Sequence, residues 1–258
     1  MKLANKRAIV TGGGSGIGKA MSLHLAAQGC AVAIADINLK TATETAREVE
    51  SQGGRAIAVQ ADVSNAESVT AMVAKATEAF GGLDILVNNA GIVHKDDRSI
   101  EDTTEEAWDR TLSVNLKSIF LATRAALPAL EATGNSAVVN VASIVGMMGS
   151  FPAQIAYTAS KGGVIALSRE MGVVLARRGV RVNAVAPGVT FTPMATQLVA
   201  DDEAFEVRRQ HIPMGRMAEP AEIAAAVAFL ASDDASYITS HVMPVDGGMT
   251  GAFLTPPD

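Results

Sequence analysis

The chain alternates short runs of β-branched and apolar residues with longer helical patterns, and this alternation constrains the fold more than any other feature. Strand-like runs occupy residues 7–11, 31–36, 56–60, 84–88, 137–142, 181–186 and 241–245. Helical patterns occupy residues 17–28, 39–51, 65–80, 104–130, 157–176 and 220–230. A repeated strand–helix order builds a parallel sheet with helices on both faces. We therefore predict a single α/β domain over residues 1–258, with a doubly wound, Rossmann-like, seven-stranded sheet.

Three segments that follow predicted strands are expected to contact substrate: 92–103, 144–154 and 188–215. Loops at the carboxyl ends of parallel strands commonly bind ligands. The segment 144–154 contains no charged residue, which favours an apolar pocket wall. Its Met and Phe side chains are, taken one by one, equally typical of core residues.

The composition limits the kind of partner. A formal net charge of -6 leaves no excess of Lys and Arg to neutralise phosphates, which argues against binding nucleic acid or an anionic membrane surface. No apolar run is long enough to cross a bilayer, so we expect a cytoplasmic location and a small-molecule substrate. Cys30 is the only cysteine, and we expect it in the core; no cluster of His, Cys and carboxylates predicts a metal site.

A glycine-rich junction at residues 12–18 joins the first predicted strand to the first predicted helix. Glycines let backbone N–H groups approach a pyrophosphate, and the positive end of the following helix favours an anion. The common G-x-G-x-x-G spacing is not met, so the position between strand and helix, more than the spacing, favours a phosphate site over an ordinary turn. The predicted cofactor contacts here are Gly12, Ser15, Gly16, Ile17 and Gly18.

Asp36, at the end of the second predicted strand, indicates which dinucleotide binds. A carboxylate there can accept hydrogen bonds from the adenosine ribose and repel a 2′-phosphate. Its neighbour is Ile37 instead of a basic residue, so NAD is favoured over NADP, although an Asp that only caps the next turn is a serious alternative. Asp62 and Val63, after the third strand, are equally consistent with bracketing the adenine and with an ordinary helix N-cap.

Tyr157 and Lys161 lie four residues apart, so a helix places both side chains on one face. The phenol pKa must fall from about 10 by roughly three units for Tyr157 to act near neutrality, which is about 4 kcal/mol. A unit charge about 4 Å away is worth roughly that much at an effective dielectric constant near 20, so Lys161 and an oxidised nicotinamide would suffice. Ser143 follows the fifth strand, where its hydroxyl can hydrogen-bond a substrate oxygen.

Together these motifs resemble the classical short-chain dehydrogenase/reductase family over nearly the whole chain. The matching motifs are Thr11-Gly12-x-x-x-Gly16-Ile17-Gly18, Asn88-Asn89-Ala90-Gly91 and Tyr157-x-x-x-Lys161. The resemblance implies a catalytic tetrad of Asn115, Ser143, Tyr157 and Lys161. In it Tyr157 is the general acid/base, Lys161 holds the nicotinamide ribose, and Asn115 kinks its helix and holds a water in a proton relay. An Asn that only bonds its own backbone is the alternative for Asn115.

The resemblance also implies further cofactor contacts and an assembly. The cofactor contacts are Asn89, Gly91, Tyr157, Lys161, Pro187, Gly188, Thr190 and Thr192. For Asn88 to Gly91 a partly structural role is the alternative, because Asn side chains at a strand end commonly satisfy loop backbone groups. The patterns 104–130 and 157–176 carry apolar residues around more of their circumference than one sheet can cover. The resemblance implies that these two helices pair across a dimer axis, and we expect a homotetramer.

The predicted function is an NAD(H)-dependent oxidoreductase that interconverts an uncharged, fairly hydrophobic secondary alcohol and its ketone. A buried anionic group on the substrate would need a cation, and His94, Lys95 and Arg98 are the candidates. One alternative is an NADPH-dependent 3-oxoacyl carrier-protein reductase, which Asp36 opposes. Another is a non-catalytic dinucleotide-binding regulatory protein, which the presence of both Tyr157 and Lys161 opposes.

Overall fold

A parallel sheet forms the centre of the computed structural model, which describes residues 1–192, 206 and 209–252. Within those residues seven strands pair in the order β3-β2-β1-β4-β5-β6-β7. The strands are β1 Arg7–Thr11, β2 Ala31–Asp36, β3 Arg55–Gln60, β4 Ile85–Asn88, β5 Ser136–Val141, β6 Val180–Pro187 and β7 Val242–Val245. The predicted seven-stranded, doubly wound fold is confirmed.

Helices cover both faces of this sheet. They are α1 Gly16–Ala27, α2 Leu39–Ser51, α3 Ala66–Phe80, α4 Glu105–Leu112, α5 Ser118–Glu131, α6 Ile155–Leu175 and α7 Pro220–Ala231. Successive strand residues point to opposite faces, so Val10 packs in the layer with α1, α2 and α7, whereas Ile9 packs in the layer with α3 and α5. Because both faces are buried, the strands are continuous apolar runs.

The strand order reverses beside β1, and this reversal places the candidate site. β1 pairs with β2 on one side and with β4 on the other, so the chain segments that leave β1 and β4 diverge. A crevice at the carboxyl ends of the strands follows from that divergence and is where such sheets bind ligands. The glycine-rich junction leaves β1 at this crevice, and Asn89 leaves β4 beside it.

Two helix predictions need correction. The predicted helix 104–130 is two α-helices separated by the π-helical segment Ser113–Lys117, which the apolar periodicity does not reveal. The helix predicted from Tyr157 begins at Ile155 instead, because its first N–H groups find acceptors in a distant loop. The other bounds agree with prediction to within about one residue, as expected for fraying element ends.

Two smaller expectations concern Cys30 and the membrane. Cys30 is buried, and burial raises the pKa of its thiol to about 12, so it is a core residue and not a reactive thiolate. Among the helices of the described residues, none combines the length and the apolar character needed to cross a bilayer.

Candidate active site

The glycine-rich junction has backbone geometry and spacing that other residues could not adopt. Gly12 has φ +62°, and a Cβ on it would lie 3.0 Å from Ala90 Cα. A Cβ on Gly18 would lie 2.0 Å from the carbonyl oxygen of Gly12, so only glycine lets α1 pack this closely on the loop. Ser15 at the N-cap of α1 makes no side-chain capping bond, and the first turn of α1 has no acidic residue. The positive end of α1 can therefore accept an anion, and these residues fit a dinucleotide pyrophosphate.

Asp36 faces the glycine-rich junction. Its Oδ2 accepts from the N–H of Gly14 at 3.0 Å, and its Oδ1 accepts from the N–H of Asn38 at 3.0 Å. The N-cap of α2 is Asn38, whose side chain accepts from Lys40. Asp36 thus closes the turn after β2 without being the helix cap, and it adds a negative charge beside the junction. Ile37 next to it is 59% exposed.

Asp62 shapes the turn after β3. Its Oδ1 accepts from the N–H of Ser64 at 2.9 Å and from the hydroxyl at 2.6 Å, and these bonds lower the pKa of Asp62. The N-cap of α3 is Asn65, so the N-cap interpretation of Asp62 is wrong. Val63 is buried. An adenine-bracketing role for both residues stays a prediction.

The residues after β4 hold the glycine-rich junction against the catalytic half of the site. The side chain of Asn89 donates to the carbonyl oxygens of Thr11 at 2.9 Å and Gly12 at 3.2 Å. The Thr11 hydroxyl accepts from the N–H of Asn89 at 3.0 Å. Asn89 thus has the structural role that the sequence left open for this segment. A Cβ on Gly91 would lie 3.4 Å from Asn115 Oδ1 and 3.5 Å from Lys161 Nζ, so Gly91 lies against two of the four expected catalytic residues.

Asn115 lies in the π-helical segment and is buried. Its Oδ1 accepts from the N–H of Ile92 at 2.8 Å, and its Nδ2 donates to the Ile92 carbonyl at 2.9 Å and to Ser160 Oγ at 3.1 Å. These partners lie outside its own helix, so the alternative that Asn115 bonds only its own backbone is wrong. A π-turn is where a side chain can leave the regular helical direction, and such turns are frequent at functional sites.

Ser143, Tyr157 and Lys161 come together at the carboxyl end of β5. Ser143 directly follows Ala142, and its hydroxyl lies close enough to the phenol of Tyr157 to lower the pKa of that phenol. Lys161 is buried on the same side of α6, with its Nζ 5.5 Å from the centroid of the Tyr157 ring. The ammonium group donates to the Val141 carbonyl oxygen at 2.8 Å.

Desolvation dominates the electrostatics of this trio. Burial raises the pKa of Tyr157, and the nearby Ser143 hydroxyl acts in the opposite direction. Burial also lowers the pKa of Lys161 to about 8. Desolvation disfavours the phenolate here, and the ammonium group is directed at Val141 instead of the phenol oxygen, so the fall in the Tyr157 pKa expected with a bound oxidised nicotinamide stays a prediction.

The residues after β6 form the far wall of the crevice. Pro187 ends the strand and is buried, and a Cβ on Gly188 would lie 2.8 Å from Asp246 Cα. The hydroxyl of Thr190 is turned back onto the Gly188 carbonyl at 3.1 Å, while Thr192 is half-buried. Residues 193–205, 207 and 208 of the expected loop 188–215, and residues 253–258 of the tail, lie outside the described residues.

The other expected substrate segments differ in character. Met147, Met148 and Phe151 are exposed, so the core interpretation of these three is wrong. In the segment 92–103, Asp96 lies 3.9 Å from His94 Nδ1 and 4.0 Å from Arg98 Nη2. Neither His94 nor Arg98 lies alone in an apolar pocket wall, because the Asp96 carboxylate is close to both side chains. The described residues contain no cluster of side chains that could hold a metal ion.

Residues 12–250 match the family model described as enoyl-(acyl carrier protein) reductase. The chain is 39% identical over 249 residues to 3-oxoacyl-[acyl-carrier-protein] reductase FabG of Thermotoga maritima, covering 96% of this chain and 99% of the relative. The chain belongs to the short-chain dehydrogenase/reductase family. As a member of this family it is an oxidoreductase that binds a nicotinamide dinucleotide and acts on alcohol-type substrates.

Other relatives in this family are named for cyclic alcohols. The chain is 41% identical over 249 residues to cyclohexanol dehydrogenase of an Acinetobacter species, covering 96% of each chain. It is 42% identical over 247 residues to cis-4-hydroxycyclohexanecarboxylate dehydrogenase of Sinomonas cyclohexanicum, covering 96% of this chain and 97% of the relative. The crystal structure of levodione reductase superposes with a TM-score of 0.92 at 37% identity, covering 97% of this chain and 100% of that one.

Proposed function

We propose that this short-chain dehydrogenase/reductase interconverts a secondary alcohol and a ketone with NAD(H), using Tyr157 as general acid/base. The observation that carries the proposal is the convergence of three side chains on one crevice. The Ser143 hydroxyl lies near the Tyr157 phenol, and Lys161 is buried with its Nζ 5.5 Å from the centroid of the same ring. Gly91, which follows β4, lies next to Asn115 and Lys161.

When bound, the nicotinamide cofactor supplies or accepts the hydride. In the reduction direction the Tyr157 phenol donates its proton to the carbonyl oxygen of the substrate, and in oxidation the phenolate takes the proton from the alcohol. The Ser143 hydroxyl can donate to the same oxygen and stabilise its developing charge. The charged form of Lys161 favours the phenolate and balances the desolvation that raises the Tyr157 pKa.

The cofactor choice rests on Asp36. Its carboxylate, held by two backbone N–H groups, places a fixed negative charge at the junction, and a 2′-phosphate there would be repelled. The same charge opposes the runner-up function, an NADPH-dependent 3-oxoacyl carrier-protein reductase, which the Thermotoga relative favours. A non-catalytic regulatory role is disfavoured because Tyr157 and Lys161 are both present and on one helix face.

The proposed substrate is neutral and fairly hydrophobic. Met147, Met148 and Phe151 give the segment 144–154 an apolar, accessible surface. Arg98 lies 4.0 Å from Asp96, which offsets the Arg98 charge for an anionic substrate, and His94 Nδ1 accepts from the N–H of Asp96 at 3.2 Å. The Acinetobacter relative is named for cyclohexanol, which is neutral and fits this class. The Sinomonas relative is named for a cyclohexanecarboxylate, so a cyclic acid is the competing substrate to test.

We expect a neutral cyclic ketone to be reduced with a higher kcat/KM than a cyclic keto acid of the same ring size. The apolar segment favours the ring, while Asp96 opposes a carboxylate near His94 and Arg98, and Lys95 is exposed to solvent. Cyclohexanone and 4-oxocyclohexanecarboxylate form a matched pair, and NADH and NADPH should each be assayed with both. A keto-acid preference above about tenfold, roughly 1.4 kcal/mol in transition-state binding, would contradict the neutral pocket and direct attention to Arg98 and Lys95.

The homotetramer stays a proposal, and the surface of two helices supports it. On α6, Val164, Ile165 and Leu175 are buried within the chain, which corrects part of the sequence argument. Val173 and Val174 nevertheless remain 70% and 56% exposed. On α5, Phe120 is 47% exposed. Exposed apolar side chains on neighbouring helices are typical of interfaces between copies of a chain.

Light scattering at micromolar concentration is expected to give a mass four times that of the chain. Replacing Val173 and Val174 by Asp should reduce that mass, because two charges would be buried at the proposed interface. Ala74→Asp, which adds the same kind of charge at an exposed position on α3, serves as the control. A monomeric wild-type protein would contradict the proposal.

The cytoplasmic location expected from the sequence likewise stays a prediction.

A further inference from the structure

The first turn of α6 is capped by a carboxylate from a distant loop. Gln154 at its N-cap makes no side-chain capping bond, and the first turn contains no acidic residue. Asp97 Oδ1 accepts from the N–H of Ala156 at 2.8 Å, and Oδ2 accepts from the N–H of Tyr157 at 2.7 Å. The Arg98 carbonyl accepts from the N–H of Ile155 at 3.3 Å. Three consecutive N–H groups are thus satisfied by two residues from a segment far earlier in the chain.

The Asp97 carboxylate is fixed in place by its surroundings. It is 6% exposed, and within the described residues no cation pairs with it. A buried carboxylate is tolerated only when hydrogen bonds and an opposing dipole compensate for its lost hydration, and the amino end of α6 supplies both. Each oxygen of the carboxylate therefore depends on the first turn of α6, and that turn depends on Asp97.

The same segment reaches the rest of the catalytic site. Ile92 holds the side chain of Asn115 through both its N–H and its carbonyl group. Further along the segment, Asp97 holds the backbone of Tyr157. The segment 92–97 is therefore a brace between the π-helical segment, which carries Asn115, and the first turn of α6, which carries the phenol.

We propose that Asp97 is a positioning residue that fixes the first turn of α6 and thereby holds the Tyr157 phenol against Ser143 and the substrate oxygen. This rests on the proposed function, in which Tyr157 moves the proton. The first turn of a helix frays readily when its N–H groups lack acceptors. A displacement of about 1 Å at a catalytic group can cost about 100-fold in rate.

The test compares two substitutions of Asp97 with one matched control. Asp97→Asn keeps one oxygen acceptor in nearly the same place, whereas Asp97→Ala keeps none. Thr104→Ala is the control, because the Thr104 hydroxyl caps α4 in the adjoining loop by accepting from the N–H of Ala107 at 3.1 Å. It removes a cap of the same kind from a helix that carries no member of the tetrad.

We expect kcat per NADH-binding site to fall about 100-fold in Asp97→Ala and about tenfold in Asp97→Asn, a partial rescue by the conservative variant. NADH affinity should hold in both, because Asp97 makes no contact with the glycine-rich junction. Thr104→Ala should lower the melting temperature without lowering kcat. Unchanged kcat in both Asp97 variants, or an equal fall in Thr104→Ala, would overturn the positioning role.

Amide hydrogen exchange provides a readout that needs no turnover. In the wild-type protein the N–H groups of Ala156 and Tyr157 should be protected, although a first helical turn gives them no acceptor of its own. Asp97→Asn should speed exchange there and leave α1 unchanged. Equal protection in wild type and variant would overturn the inference even if no substrate were turned over. Loss of activity in Asp97→Asn combined with full activity in Tyr157→Phe would instead count against the proposed function alone.

Discussion

Replacing Tyr157 by phenylalanine is expected to lower kcat by about 10²–10⁴-fold, the usual contribution of a positioned general acid/base. The substitution removes one oxygen atom and keeps the ring, so packing at the start of α6 should change little. NADH affinity should be nearly unchanged, because the hydroxyl moves the proton and contributes little to holding the dinucleotide. Steady-state assays and NADH fluorescence titration measure the two effects separately.

The chain supplies a matched control for this experiment. It contains two tyrosines, and the second, Tyr237, is fully exposed far along the sequence from α6. Tyr237→Phe removes the same atom and should leave kcat at the wild-type value. If Tyr157→Phe kept wild-type kcat, the proton would come from another group, and the role of the Ser143–Tyr157–Lys161 trio would have to be abandoned.

The second large effect concerns cofactor choice. We expect wild type to prefer NAD(H), and Asp36→Asn combined with Ile37→Arg to shift the ratio of kcat/KM values towards NADP(H) by about 10²–10³-fold. Two like charges about 4 Å apart repel by roughly 4 kcal/mol at an effective dielectric constant near 20, and Arg adds a partner for the 2′-phosphate. Asn at residue 36 retains an oxygen that can accept from the N–H of Gly14, so the junction keeps its shape.

The single variant Ile37→Arg is the control for this shift. With Asp36 still present, the new guanidinium would pair with the carboxylate, and the gain for NADP(H) should be much smaller than in the double variant. Measurements of kcat/KM for both cofactors with one ketone decide the matter. A wild-type preference for NADPH would mean that Asp36 serves only the turn after β2, and it would favour the acyl carrier-protein reductase alternative.

The parts of the fold that follow from local pattern could be predicted from the sequence. Strand runs that are buried on both faces and helices with caps carry their signal within a few residues, and the order of elements then fixes the parallel sheet. The family resemblance implies a kink at Asn115, but the apolar periodicity of this segment does not indicate the π-turn around it. In this turn the Asn115 side chain is hydrogen-bonded to Ile92, which lies in another segment of the chain.

Contacts between segments that are distant in the chain also explain which features of the site could not be predicted from the sequence. Nothing in the residues around Asp97 indicates that its carboxylate reaches Tyr157, because the contact spans 60 positions and depends on the folded sheet. The desolvation of the Tyr157 phenol could not be predicted for a similar reason. Spacing on one helix face places Lys161 near the ring, but only the folded structure shows how far the phenol is desolvated and that Nζ is directed at Val141.

The central claim is that this chain couples hydride transfer to proton transfer at Tyr157, and product stoichiometry tests it most directly. Wild-type protein is mixed with NADH and cyclohexanone, the loss of NADH is followed by absorbance, and the cyclohexanol formed is quantified by gas chromatography. The account predicts one alcohol formed for each NADH consumed, and neither change with Tyr157→Phe over the same period. NADH binding without any alcohol product, across neutral and acidic ketones and with NADPH as well, would contradict it and leave a dinucleotide-binding protein without this chemistry.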